Sequence, residues 1–334
     1  MKRTFEVVRG LIRPPFAVLL GLDAALGMVQ TGHLTSLARQ VVALVAVGAW
    51  MLFAVAVNDL ADEEIDRVNL ADDARRVIVS GRATRRHVAG IAIASAAIAL
   101  GVAGVLGWMA VGVIGCGLAL AAAYSLPPFR LSSRGALTSA LLPLGYVAVP
   151  YLVGAFSAGA TVHRLHPVLL AGMYLGFMGR LALKDFRDEQ GDRLYGKRTT
   201  LVRHGRERTC LFSAVLWSAG AVVSLRALPS GVSTTAAMIA YILVVVAMLA
   251  DIARDDAGIR DVANIAAIAA IGRALVYTAI IQLATNMSGW SALHQNLIVG
   301  GAAIASLGLA RDVRRDFLPA CEPVGLPVSA PASA

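Results

Sequence analysis

Long apolar runs separated by short polar segments repeat along nearly the whole chain. Ten stand out, over residues 14–31, 36–58, 86–106, 108–126, 136–157, 166–185, 208–226, 232–253, 260–285 and 293–310. Each is about 17–25 residues long, enough for an α-helix to cross a hydrocarbon core of about 30 Å at about 1.5 Å per residue. The stretch "GWMAVG" leaves almost no spacer between the third and fourth runs. Alternating patterns of strand length are missing, which argues against a barrel. The reading is an all-α, polytopic transmembrane helical bundle.

Composition agrees. Of the 334 residues, 57% are apolar and 15% charged, with a mean hydropathy of +0.70; a soluble domain carries about 25% charged residues. The net charge of +9 sits mainly between the runs. Counting from a basic N-terminus placed inside, the same-side segments hold Arg67, Arg75, Arg76, Arg82, Arg85 and Arg86, then Arg130 and Arg134, then a basic series from Arg187 to Arg208, then Arg254, Arg311, Arg314 and Arg315. The opposite segments offer Arg39, Arg164 and Arg226. This positive-inside bias predicts a multi-pass protein of the cell (inner) membrane with both termini cytoplasmic. The basic charge is interfacial, so the lipid bilayer is the expected partner and nucleic acid is not. "MKRTFEVVRGLIRPPF" leads into a run that contains Asp23 and has no clear cleavage site, so it reads as a retained first helix. Residues 1–315 read as one transmembrane domain, and 316–334 as a disordered Pro/Ala-rich tail. Cys116, Cys210 and Cys321 show no metal or redox spacing.

Against this apolar background, "DLADEEID" (59–66) and "DFRDEQGD" (185–192) share the pattern D-x-x-D-E-x-x-D. An even number of crossings separates them, so both face the same side. On a continuous helix, positions i, i+3 and i+7 lie within about 60° of one another and span about 10 Å. Asp59, Asp62 and Asp66 would then share one face, and Asp185, Asp188 and Asp192 another, with Glu63 and Glu189 adding to the crowding. Like charges so placed destabilise a helix by a few tenths of a kcal/mol per pair, and more where water is partly excluded. A divalent cation removes that cost, and carboxylates with waters and phosphates are what Mg²⁺ prefers. Two acidic helix ends facing each other could hold Mg²⁺ around one diphosphate. Basic residues surround them: Asn58 precedes the first acid and Lys184 takes the equivalent place before Asp185. "GKRTT" supplies Lys197 and Arg198, and "DDARRVIVSGR" supplies Arg75 and Arg76. Topology accounts for most of the arginines. The lysines are more telling, because the chain holds only Lys2, Lys184 and Lys197.

"NDLADEEID" resembles the N-D-x-x-D-x-x-x-D motif of the UbiA superfamily of intramembrane prenyltransferases, and "DFRDEQGDRLYGKRTT" resembles its second aspartate-rich motif. "YSLPPFRL" (124–131) is similar to the tyrosine loop of chlorophyll-synthase-like and geranylgeranylglyceryl-phosphate-type members. The resemblance covers roughly residues 10–285. It implies nine to ten helices around a central cavity open at the cytoplasmic side. It further implies that Asn58, Asp59, Asp62, Asp66, Asp185, Asp188 and Asp192 hold Mg²⁺ and the diphosphate of a prenyl diphosphate donor. Tyr124 and Arg130 would lie near the mouth, with Lys184, Lys197 and Arg198 around the leaving group. Three features depart from the family: "RVIVSG" stands where R-P-I-P-S-G is common, ten runs replace the usual nine helices, and Arg130 replaces a lysine.

The expected reaction is release of diphosphate, formation of an allylic cation in a dry cavity, and attack by an aromatic or lipid-like acceptor. A terpene cyclase using the same site without an acceptor is the alternative. A cation transporter would instead spread acids through the bilayer midplane. Asp23, inside the first run, could orient or deprotonate the acceptor, or serve as structural glue. Arg273 reads as structurally paired or snorkelling, and Tyr146, Tyr151 and Tyr174 could line the cavity or stabilise a cation, with core packing the favoured reading of each. His163, His166 and His294 fall on the outer loops.

Overall fold

The computed structural model of the chain describes residues 2–32, 35–69, 76–133, 136–162, 166–194, 196, 199–229, 231–255 and 257–318. All ten apolar runs are helical, and no strand occurs among the described residues. A short helix α1 (Lys2–Leu11) is followed by α2 (Pro14–Val29), whose two leading prolines need no N–H partners in a first turn. Next come α3 (Leu37–Ala61), α4 (Glu63–Asn69), α5 (Arg85–Leu106) and α6 (Trp108–Ser125). The side chains of Ser36 and Thr84 cap α3 and α5. The expected sharp junction between α5 and α6 is made by Gly107, whose φ of 120° suits glycine.

The fifth run is α7 (Ala136–Pro143), a π-helical turn (Leu144–Ala148) and α8 (Val149–Ser157). Then follow α9 (Pro167–Leu181), a 3₁₀ turn (Ala182–Lys184), α10 (Asp185–Leu194), α11 (Thr200–Ala227), α12 (Val232–Arg254), α13 (Asp261–Met287) and α14 (Ala292–Asp316). Helix α11 begins earlier than the apolar run suggested, because Thr199 caps a polar first turn and Gly205 (φ 79°) kinks it before the apolar segment. Helix α14 runs to the expected domain limit; most of the presumed tail, 319–334, lies outside the described residues.

Eight helices among the described residues are long and apolar enough to cross a membrane, and α1 with α2, bent by 71°, makes up to nine. Helix α9 alone has 15 residues. The outer surface presents Ile93, Val105, Leu243 and Ile304, as lipid-facing helices do. Multiple crossings of the bilayer follow from this arrangement.

Packing forms two halves. In one, α3 lies against α5 and α6 around Val47, Trp50, Ile91 and Ile114. In the other, α11 packs on α9 and α12, and α13 on α12 and α14, around Trp217, Tyr241, Val245 and Ile268. Helix α2 links the halves by packing on both α8 and α13, and α9 meets α7 and the π-helical turn. The α2–α8 crossing is very close: a β-carbon on Gly27 would lie 1.9 Å from the Tyr151 carbonyl oxygen, and one on Gly154 would lie 1.9 Å from that of Ala24. Small residues are how helices approach where lipid removes the hydrophobic drive between them. Between the halves lies a cavity of about 620 Å³.

Candidate active site

The first acidic stretch does not sit on one uninterrupted helix face, as its spacing suggested. Helix α3 ends at Ala61, Asp62 adopts φ −103° and ψ 14°, and α4 restarts at Glu63. The break does not part the carboxylates: Asp59 and Asp66 still share one arginine, and all three are buried, with exposures of 3% for Asp59, 8% for Asp62 and 6% for Asp66. Arginines compensate two of them. Arg76 Nη1 lies 2.6 Å from Asp59 Oδ1 and 2.9 Å from Asp66 Oδ2, and Arg13 donates to Asp59 at 2.7 Å. Asp62 instead accepts from Asn58 Nδ2 at 2.9 Å, and Arg130 reaches its other oxygen at 3.5 Å. Glu63 and Glu189 do not join the crowd: Arg67 and Arg85 pair with the first and Arg193 with the second. Those two arginines hold the Glu63 carboxyl below the ordinary range.

Helix α10 carries the second stretch and packs directly against α4, so two acidic stretches that start 126 positions apart in sequence come together. Asp185 is buried and faces the cavity. The side chains of Asp188 and Asp192 lie outside the described residues, as do Arg75, Lys197 and Arg198. Asn58, Asp62, Asp66, Arg76, Tyr124, Lys184 and Asp185 all line the one cavity. Lys184 Nζ donates to the Tyr124 hydroxyl at 3.3 Å. Asp59 stands behind this wall, tethered by its arginines, and Arg130 approaches from the loop after α6.

Further in, the wall is apolar and aromatic. The π-helical turn places Tyr146 on the cavity, where its ring lies 5.4 Å from Phe16 and 5.5 Å from Phe177, with Trp50 edge-on at 6.5 Å. Of its two readings Tyr146 thus takes the cavity-lining one and not the favoured core packing; a π turn has no apolar periodicity by which to decide between them. Arg13, Phe16, Arg180 and Asp261 also line the cavity or its rim and were not singled out from sequence. Arg13 could have been noticed in "IRPPF", where a charge precedes a helix start, but its partner Asp59 is 46 positions away.

Asp23 is 1% exposed and does not reach the main cavity. It lines a small adjoining pocket of about 40 Å³, whose wall is shared through Phe177 and Arg180. Arg273 forms no ion pair among the described residues and faces the main cavity, so the expected structural pairing is not what holds it there. Tyr151 is fully buried, and Tyr174 donates to the Ala140 carbonyl.

The UbiA prenyltransferase family matches residues 16–265, three-quarters of the chain. This protein belongs to the UbiA prenyltransferase family. Among curated relatives, the bacteriochlorophyll synthase 34 kDa chain of Chloroflexus aurantiacus is 32% identical over 151 residues, 45% of this chain and 47% of that one. The digeranylgeranylglyceryl phosphate synthase of Methanoculleus marisnigri is 31% identical over 230 residues, 64% of this chain and 74% of that one. The chain thus spans about half the length of the bacteriochlorophyll synthases it matches. A UbiA homolog from Aeropyrum pernix K1 shares the fold with a TM-score of 0.62 at 20% identity, covering 90% of this chain and 99% of that one. One from Archaeoglobus fulgidus, solved bound to GPP and Mg²⁺, gives 0.61 at 18%, covering 83% and 99%.

Whether this UbiA-family site suits a divalent cation can be judged from its own atoms. Asp59 Oδ2 is buried without a hydrogen-bond donor. Burial pushes the Asp66 carboxyl up to about 6, against the pull of Arg76, so the arginine it shares with Asp59 offsets only part of the cost of burying it. The donors at the mouth are carboxylate and amide oxygens, the set a hard cation takes. No three His, Cys, Asp or Glu side chains among the described residues converge on one point. Mg²⁺ does not need such a cage, because it keeps waters and is bound through one or two carboxylates plus phosphate oxygens. The residues fit.

Proposed function

We propose that the protein is an Mg²⁺-dependent intramembrane prenyltransferase. It moves an isoprenoid from an allylic prenyl diphosphate to an aromatic or lipid-like acceptor and releases diphosphate. The observation that carries this reading is the packing of α4 on α10, which brings two acidic stretches together at the polar end of a cavity whose inner wall is apolar and aromatic. The named relatives support the transfer class, and none of them favours closure of the donor on itself. The acids gather at one end of the bundle instead of spreading along it, which does not suit a transport path.

In this reading Asn58, Asp59, Asp62, Asp66 and Asp185, with Asp188 and Asp192, are the residues that would hold Mg²⁺. Bound there, the ion would supply the positive charge that stabilises the departing diphosphate. Lys184, fixed beside Tyr124, donates to a diphosphate oxygen and stabilises the same charge. Arg130 and Arg76 add positive charge at the mouth, and Arg75, Lys197 and Arg198 are assigned to diphosphate oxygens as well. The apolar walls exclude water from the allylic carbon. The faces of Tyr146, Phe16 and Phe177 stabilise the cation that develops there, an interaction of about 0.5–2 kcal/mol per ring. The acceptor attacks that carbon and loses a proton. The distribution of arginines supports a mouth open to the cytoplasm.

The test is diphosphate release by purified protein given allylic diphosphates of several lengths with candidate acceptors. Turnover is expected with Mg²⁺ and is lost with EDTA; release that continues in EDTA defeats the metal assignment. Replacement of Tyr124 by phenylalanine removes the acceptor that fixes Lys184, and about a tenfold fall in turnover is expected, the worth of one hydrogen bond. A Tyr124→Phe enzyme with unchanged steady-state rates would remove Tyr124 from the site.

A further inference from the structure

Two arginines stand in the apolar part of the cavity, and the reading above gives them no work. Arg180 (α9) and Arg273 (α13) both line it. Neither donates a hydrogen bond or forms an ion pair with a protein group among the described residues, and Arg273 Nη1 is buried without a partner. They belong to one place: a β-carbon on Gly272 would sit 3.7 Å from Arg180 Cδ, so the Arg180 side chain crosses to α13 immediately beside Arg273. The Arg180 guanidinium lies 5.3 Å from the centre of the Phe177 ring and 6.0 Å from that of Phe16. Arg273 is twelve residues into α13 from Asp261, about 18 Å along the axis, and Arg180 lies in the last turn of α9, inward of Lys184 and Asp185 at the acidic mouth.

An intramembrane guanidinium without a counter-ion is costly, and two adjacent ones repel each other as well. Asp23 faces Arg180 from the adjoining pocket but makes no ion pair with it, and it could balance only one of the two charges. The pair also stands beside the aromatic wall where, in the transfer reading, an allylic cation forms. With Asp23 balancing at most one of them, the remaining positive charge there would oppose ionisation. An anion between them would remove both penalties, and a planar guanidinium fork matches the oxygens of carboxylate or phosphate.

We infer that Arg180 and Arg273 form a binding site for the anionic group, carboxylate or phosphate, of the acceptor. The acceptor is then an amphiphile whose oxyanion docks deep in the cavity and whose reacting atom points back to the aromatic wall. The same contact neutralises the chamber before the donor ionises. This rests on the transfer reading, but it is tested by binding alone.

The experiment is calorimetric titration of the full-length protein in detergent with benzoate and with phenyl phosphate, benzamide serving as the neutral control. Binding of geranyl diphosphate with Mg²⁺ is measured separately. At least one anion is expected to bind saturably, and which of the two binds more tightly identifies the acceptor's group. Benzamide should bind at least tenfold more weakly. Arg180→Gln and Arg273→Gln should each weaken the anion at least tenfold and leave geranyl diphosphate within threefold. Arg180→Lys and Arg273→Lys should recover part of the affinity, which separates lost charge from lost folding. The inference is overturned if neither anion binds the wild type, if benzamide binds equally well, or if the glutamine variants bind as the wild type does. Displacement of the anion by magnesium pyrophosphate would place it at the mouth and also overturn the inference. A wild type that binds the anion through both arginines but not geranyl diphosphate defeats the transfer reading instead.

Discussion

Alanine at position 62 should lower Mg²⁺-supported diphosphate release by about 10³-fold, the scale seen when one preorganised electrostatic group is removed from an active site. Asp62 is singled out by its partners. Asp59 is neutralised by Arg13 and Arg76, and Asp66 shares Arg76. Among the described residues Asp62 has only the neutral Asn58 amide close by and a long approach from Arg130, and it faces the cavity. Its negative charge is the one most available to a cation. The protein should remain inserted and folded, because the group removed is an under-compensated buried charge. Glu189→Ala, in the second acidic stretch but paired on the surface with Arg193, should cost less than twofold, as exposed pairs contribute little. Rates for the two variants, measured on protein of matched thermal stability, decide the matter. An Asp62→Ala enzyme within tenfold of wild type would mean that the ionising diphosphate is stabilised elsewhere.

The second large effect is on folding. Gly154→Ala should destabilise the protein by about 3 kcal/mol, at the upper end of the cost of overpacking. The added methyl would meet the backbone carbonyl of Ala24 at 1.9 Å, and a backbone carbonyl cannot rotate away as a side chain can. Either α2 and α8 separate or the carbonyl loses its helical hydrogen bond. Since α2 also packs on α13, separation would open the cavity wall as well. Gly48→Ala, within α3 and with nothing within 4 Å of the new atom, should cost nothing measurable. Thermal unfolding in detergent compares them directly; equal midpoints for the two variants would show that the α2–α8 crossing is looser than described.

Much of the architecture could be read from the chain because a bilayer imposes a one-dimensional rule. A span must be about 20 apolar residues and must satisfy its own backbone, so each run declares a helix. Where the rule weakens, so does the reading. Helix α9 is shorter than its run, since the last turn before Asp185 tightens to 3₁₀ geometry. The polar start of α11 carries no apolar signal at all. The paired acidic stretches were visible as a repeat of charge where charge is costly. Their partners were not. That Arg13 and Arg76 would hold Asp59, while Glu63 turned away to Arg67 and Arg85, depends on where α1, α4 and the loop before α5 lie in space.

The sequence alone therefore determined which segments are helices, that they lie in a membrane, and that two carboxylate clusters end on the same side, because hydropathy and parity of crossing are properties of order along the chain. Tertiary structure decided which carboxylate keeps its charge available, that Tyr146 faces the cavity from a π turn, and that the Arg180 side chain crosses to α13 beside Gly272. Those are outcomes of helix rotation and crossing distance. Both are set by close contacts between residues far apart in order, such as Gly27 with Tyr151, and no local pattern encodes them.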